Sequence, residues 1–96
     1  MRVRLTPAAF EDLTDIAQWH SPSVAKRIEA AVFAATDRFE ECPELAVATD
    51  EEDTRRWPIG NEGITIFYRI EWGEKRIDVL RIMDGRQVHN LKRVPR

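Results

Sequence analysis

Apolar side chains recur every three or four positions between residues 7 and 41, and then every second position from about residue 55 to 83. The first period is that of an amphipathic helix and the second that of a strand. The opening "RVRL" (2–5) reads as a short strand. Thr6 is a good N-cap, and Pro7 suits the first helical position because its missing N–H would have no partner there. Phe10, Leu13, Ile16, Ala17 and Trp19 or His20 then form one helical face, with Glu11, Asp12 and Asp15 outside it. "SPS" (21–23) ends this helix and starts a second, with Ser21 or Ser23 as the cap. Val24, Ile28, Ala31, Val32, Ala35 and Phe39 carry the second face, and Pro43 ends it. The very short connection predicts antiparallel neighbours.

The period changes after an acidic connection, "PELAVATDEED" (43–53), expected to be a solvated loop. "RRWPI" (55–59), "ITIFYRI" (64–70) and "RIDVLRIM" (76–83) have strand length and strand composition. "GNEG" and "WGEK" supply the turns between them. In the middle strand Ile64, Ile66, Tyr68 and Ile70 share one side, and Thr65, Phe67 and Arg69 the other. In the last strand Val79, Leu80 and Ile82 break the alternation, which suits a central strand covered on both faces. The expected fold is α+β: an N-terminal strand, then a two-helix antiparallel hairpin packed on one face of a three- to four-stranded antiparallel sheet. The whole of 1–96 is read as one domain. Its tail, 87–96, is either an edge element or a flexible extension.

Composition narrows the class further. Apolar residues at 43% and charged residues at 33% suit a globular chain. A lone cysteine, Cys42, excludes an internal disulfide and offers no zinc pattern, so no metal and no cofactor are expected. No stretch approaches the roughly 20 apolar residues of a membrane span, and the N-terminus lacks the apolar run of a signal peptide. A cytoplasmic location is the expectation. The net charge of −2 conceals an asymmetry: residues 1–53 sum to −7 and residues 54–96 to +5. Either the C-terminal half meets an acidic partner, or the halves neutralise each other within the fold.

The segments "RRWPIGNEGITIFYRI" and "IDVLRIMDGR", with "TPAAFEDLTDIAQW" and "PSVAKRIEAAV" before them, resemble the RelE/ParE superfamily of bacterial toxins. The resemblance runs from about residue 2 to 86. It implies the toxin of a type II toxin–antitoxin module, held inactive in a hetero-oligomer by a cognate ParD/RelB-like antitoxin that wraps it. RelE-like members cleave mRNA on the ribosome, and ParE-like members inhibit DNA gyrase. An inactive, antitoxin-binding module is a third possibility. The RelE-like pattern is incomplete here. The strand position that is arginine in those members is Thr65, the late tyrosine is missing, and the segment before the sheet is acidic. A pI of about 5.7 also disfavours a ribosome-binding ribonuclease. The ParE-like reading is therefore preferred, and it assigns no catalytic residue. Under the RelE-like reading, Arg86 and His89 would be the catalytic candidates.

Candidates for contact with target or antitoxin are Arg56, Trp57, Arg69, Arg81 and Arg86. Arg69 and Arg81 can equally be structural arginines, stems packed on the sheet and heads bonded to carboxylates. Arg86, after Gly85, is the candidate least tied to sheet packing. Arg55 and Arg56 must point to opposite faces. Trp57 and Tyr68 read first as packing aromatics. Trp19 is expected to pack between helices or on the loop, and Cys42 to be structural.

Overall fold

The computed structural model describes residues 1–60 and 62–85. Both helices start where the cap-and-proline pairs place them. Thr6 Oγ accepts from the Ala9 N–H at 3.3 Å, and Pro7 opens α1 (Pro7–Trp19). Ser21 Oγ accepts from the Val24 N–H at 3.4 Å, and Pro22 opens α2 (Pro22–Glu41). The Thr6 hydroxyl also donates to the Val79 carbonyl at 2.8 Å, which ties the start of α1 to the sheet.

The sheet contains β1 (Arg2–Leu5), β2 (Val47–Ala48), β3 (Thr54–Ile59), β4 (Ile64–Glu71) and β5 (Arg76–Asp84), in the order β1-β5-β4-β3-β2. The meander β3-β4-β5 is antiparallel, as the short turns require. β1 lies parallel to β5, because the helical hairpin intervenes and carries the chain back. Val47 and Ala48 pair with Arg56 and Arg55, so the acidic connection contributes a short fifth strand. The fold is α+β, two helices on a five-stranded mixed sheet.

The helices cover one face. Ile64, Ile66, Tyr68 and Ile70 of β4 and Ile77, Val79 and Ile82 of β5 meet Ala9, Ile16, Ile28, Val32, Ala35 and Phe39 in one buried cluster. Phe39 lies 4.2 Å from Tyr68 and 6.1 Å from Trp57, ring centre to ring centre. Each such aliphatic or aromatic burial contributes about 1.5–3 kcal/mol.

Two departures from the expected pattern have clear causes. The broken alternation of β5 is a bulge: Tyr68 faces Val79 and Phe67 faces Arg81, leaving Leu80 unmatched. The extra residue shifts the phase, so Ile77, Val79 and Ile82 all turn to the helices. No second covering layer is needed to explain the sequence. On α1 the buried stripe is Ala9, Leu13 and Ile16, while Phe10 is 66% and Trp19 85% exposed. Ala9, fully buried, lets α1 approach the sheet closely, which a phenylalanine there would prevent. Cys42 is likewise exposed, at the C-cap of α2, and has no packing role.

Candidate interaction face and its arginines

The face turned away from the helices is set by the β-pleat. It carries Arg2 and Arg4 of β1, Arg76 and Asp78 of β5, Arg69 and Phe67 of β4, and Thr54 and Arg56 of β3, all matched by register. Among the described residues no helix packs on it. Phe67 is fully buried there, outside the helix-side cluster. This face is where the guanidinium-rich strands of the sequence present their charge.

The arginines on it are not equivalent. Arg81 is clamped by Asp12 of α1: its Nε and one terminal nitrogen donate to the carboxylate at 2.7 and 2.9 Å. The same carboxylate accepts the Ile82 backbone N–H at 3.0 Å, closing the edge of β5 beyond the end of β1. The hydrogen bond to Asp12 raises the Arg81 pKa further and outweighs partial burial. With side-chain exposures of 24% and 14%, the Arg81–Asp12 pair is a strut of the fold.

Arg69 is the opposite case. It is exposed, and its nearest carboxylate, Glu51, is 3.9 Å away. Arg56 faces Phe67 across the β3–β4 ladder. Arg55 turns to the other face and donates to the Ala46 carbonyl at 2.7 Å, so the two neighbours do point oppositely. Trp57 also lies on the helix side, edge-on to Phe39, with the Arg38 guanidinium 5.1 Å from its ring centre. Of the five contact candidates, Arg56 and Arg69 share the outer face. Trp57 does not, and Arg81 is consumed by Asp12. Arg86 and His89 lie outside the described residues.

What precedes Arg86 is well defined. The Gly85 N–H donates to the Gly63 carbonyl. A Cβ on Gly85 would meet that oxygen at 2.7 Å, closer than real side chains come. Gly63 itself sits at φ +65°, where glycine is favoured. This pair fixes the point from which the chain leaves β5.

Sequence reasoning missed a second carboxylate on this face. Asp78 Oδ1 accepts from Arg4 Nε at 2.7 Å and from Arg76 Nε at 2.8 Å. Burial pushes the Asp78 pKa up, but the hydrogen bonds and charges of Arg76 and Arg4 outweigh it and leave it below the ordinary value. The signal was present: Arg2, Arg4, Arg76 and Asp78 sit at alternate positions of two strands.

The acid–base inventory is short. Tyr68, the chain's one tyrosine, is fully buried on the helix side. Its hydroxyl donates to the Pro43 carbonyl at 2.6 Å and accepts from the Ala46 N–H at 3.4 Å. Burial pushes its pKa above the usual phenol value. Among the described residues no group of three His, Cys, Asp or Glu side chains could hold a metal. Two concavities flank this sheet, one lined in part by Arg55 and Glu51 and the other by Asp12 of the Arg81 clamp. One, about 540 Å³, is bounded by the acidic loop and Trp72; the other, about 340 Å³, lies between α1 and the end of β5.

With the geometry in view, comparison with known proteins is informative. The family model described as the ParE toxin of the type II toxin–antitoxin system parDE matches residues 3–89. This chain belongs to the ParE toxin family. Its fold is similar to that of a chromosomal ParDE system from P. aeruginosa, with a TM-score of 0.72 and 17% identity over 88% of this chain and 95% of the other. The isolated E. coli RelE toxin gives a TM-score of 0.62 and 10% identity, covering 88% of this chain and 83% of that one. The toxin–antitoxin complex RelBE2 from Mycobacterium tuberculosis gives 0.61 and 22%, covering 86% and 95%. No curated protein is significantly similar in sequence.

Proposed function

We propose that this toxin is neutralised by a cognate antitoxin and acts by binding DNA gyrase, without cleaving RNA. One observation carries the choice between binding and cleavage. Among the described residues the outer face presents guanidiniums but no histidine or tyrosine: its carboxylate Asp78 is bonded to Arg4 and Arg76, and Tyr68 is turned inward with both its hydrogen bonds used. Metal-free RNA cleavage needs a group that takes the 2′-hydroxyl proton, besides cations that stabilise the phosphorane. Arg81, a candidate cation, is held by Asp12. Match to the ParE family and an acidic pI support the same choice. The antitoxin reading draws on the solved relatives, which include ParDE and RelBE complexes. Arg69 and Arg86 are the proposed contacts for antitoxin or target carboxylates.

The test is a gyrase supercoiling assay with toxin refolded after separation from its antitoxin. Inhibition that added antitoxin reverses supports the proposal. No inhibition by refolded protein removes gyrase as the target. Ribosome-dependent mRNA cleavage would then be assayed, with Arg86 and His89 substituted first. A refolded chain inactive in both assays and harmless on expression would be an antitoxin-binding module only.

A further inference from the structure

The concavity between α1 and the end of β5 holds a residue that neither the fold nor the toxin reading accounts for. Trp19, expected to pack, is instead 85% exposed and forms one side of this space of about 340 Å³. Two buried residues of the core, Ile16 and Ile82, also line it. Asp15, Asp84 and His20 bring polar groups to the same space. Asp84 Oδ2 lies 3.7 Å from His20 Nε2, with 29% and 30% of the two side chains exposed. Asp12 borders it as well, but its oxygens already accept from Arg81 and from the Ile82 N–H. Among the described residues no lysine or arginine lines it.

The geometry points to a binding pocket for an organic cation: a guanidinium or alkyl-ammonium head carried on an aliphatic stem. Each part of such a ligand has a counterpart. The stem meets the carbon surface of Ile16 and Ile82. The head lies against the indole of Trp19, whose ring face attracts a cation more strongly than that of any other side chain. The chain makes the same contact internally, where the Arg38 guanidinium sits 5.1 Å from the ring centre of Trp57. Asp15 and Asp84 supply the opposite charge, and a guanidinium can give a carboxylate two parallel N–H bonds. Carboxylates by themselves would make only an acidic patch. The exposed indole and the apolar lining are independent of them, and they select a cation with a carbon skeleton. The volume is at the lower end of small-ligand pockets, about 300–1,000 Å³.

Other ligand classes fit less well. Among the described residues no group of three His, Cys, Asp or Glu side chains is placed to hold a metal ion. An anion would meet three carboxylates. A neutral apolar ligand would strip water from those carboxylates and give them nothing in return. Residues 1–85 hold 11 Lys and Arg against 17 Asp and Glu, a charge of −6, so the body of the molecule draws cations from a distance. The pocket uses none of the outer-face arginines and does not depend on whether gyrase is the target. The same head and stem come from two sources, a free small molecule or an arginine or lysine side chain of another protein.

The experiment is calorimetric titration of the refolded full chain with butylguanidinium. Butylurea has the same shape without the charge, and the guanidinium ion has the charge without the stem. A blocked Gly-Arg-Gly peptide presents the same head as a protein side chain. Trp19→Ala and Asp15→Asn are the variants of interest, because both side chains are exposed and their loss should leave thermal unfolding unchanged. Asp37→Asn, on the exposed surface of α2, removes an equal charge elsewhere. The expected result is saturable binding of butylguanidinium, weaker binding of the guanidinium ion and none of butylurea. Trp19→Ala and Asp15→Asn should each weaken it about threefold and the pair about tenfold, with Asp37→Asn without effect. In the NMR spectrum of the unsubstituted chain, the indole N–H signal that Trp19→Ala removes should move on binding. Equal binding of butylurea, an equal loss with Asp37→Asn, an unmoved Trp19 signal, or no binding would overturn the inference. Given the expected result, tighter binding of the peptide than of butylguanidinium would make a partner's side chain the occupant. The reverse order would make it a free small molecule, and either order supports the cation pocket.

Discussion

The two faces of one sheet solve different problems with neighbouring residues of the same strands. Toward the helices, β4 presents Ile64, Ile66, Tyr68 and Ile70, all within 2% of full burial and packed around Phe39. Away from them it presents Thr65, Phe67 and Arg69, and β5 and β1 add Arg76, Asp78, Arg2 and Arg4. On the first face, position and packing determine each other, because any gap removes contacts that nothing restores. On the second, what matters is which carboxylate a guanidinium has. Arg81 has Asp12 in two hydrogen bonds, Arg4 and Arg76 divide Asp78, Arg69 has a distant Glu51, and Arg2 has none among the described residues. The lesson is that arginine count does not measure binding capacity. The carboxylates behind the arginines sort them into struts and contacts.

The sharpest way to break this contrast is to remove a helix-side side chain. Phe39→Ala should destabilise the fold by about 3–5 kcal/mol, since it empties the space between Tyr68, Trp57 and α2. Urea unfolding checks it, and a loss below about 1 kcal/mol would mean that the aromatic stack is not the core it looks to be. Next comes the strut. Asp12→Ala leaves Arg81 without its partner and the Ile82 N–H without an acceptor, and about 2–3 kcal/mol should be lost. If stability barely moves, Arg81 is not a strut and returns to the list of contact residues.

The shared carboxylate gives a pH signature. The Asp78 pKa is depressed in the fold, so its stabilising contribution is complete above the unfolded value, about 3.9. It is lost as pH falls through the lower folded value. Stability should therefore decline on acidification below about pH 4, and Asp78→Asn should make that part of the profile shallower. Parallel profiles for the two proteins would show that Arg4 and Arg76 do not hold the ionised form.

How far these faces could be read beforehand follows from the same contrast. Helix starts at Thr6–Pro7 and Ser21–Pro22, and the strands, are local consequences of caps, prolines and period, and they stand where the sequence put them. The parallel return of β1 beside β5 was not legible, because it depends on where two helices carry the chain. Nor was the bulge at Leu80, since a phase slip and double coverage leave the same apolar run. Phe10 and Trp19 show the limit of period alone: two stripes one residue apart fit α1 equally, and the small Ala9 decides between them only once the sheet is present. For the site, the opposite directions of Arg55 and Arg56 were visible from alternation. Pairing of Arg81 with Asp12 spans 69 residues, and no local rule joins them.

The smallest expected change in stability belongs to the residue whose proposed role is contact. Arg69→Ala should alter unfolding by no more than about 0.5 kcal/mol, because an exposed guanidinium 3.9 Å from a carboxylate contributes little to the fold. Combined with Arg86→Ala, it should weaken antitoxin binding about tenfold by calorimetry, equal to about 1.4 kcal/mol. Arg81→Ala is the proper control for Arg69→Ala alone, since each removes one guanidinium from the sheet. It should cost stability while leaving the affinity of the remaining folded protein nearly unchanged. The reverse outcome, in which Arg81→Ala abolishes binding and the Arg69 and Arg86 pair does not, would place the contact at the clamped end of β5. The antitoxin would then have to displace Asp12 from Arg81 to bind, and the division of this face into struts and contacts would fail at its clearest pair.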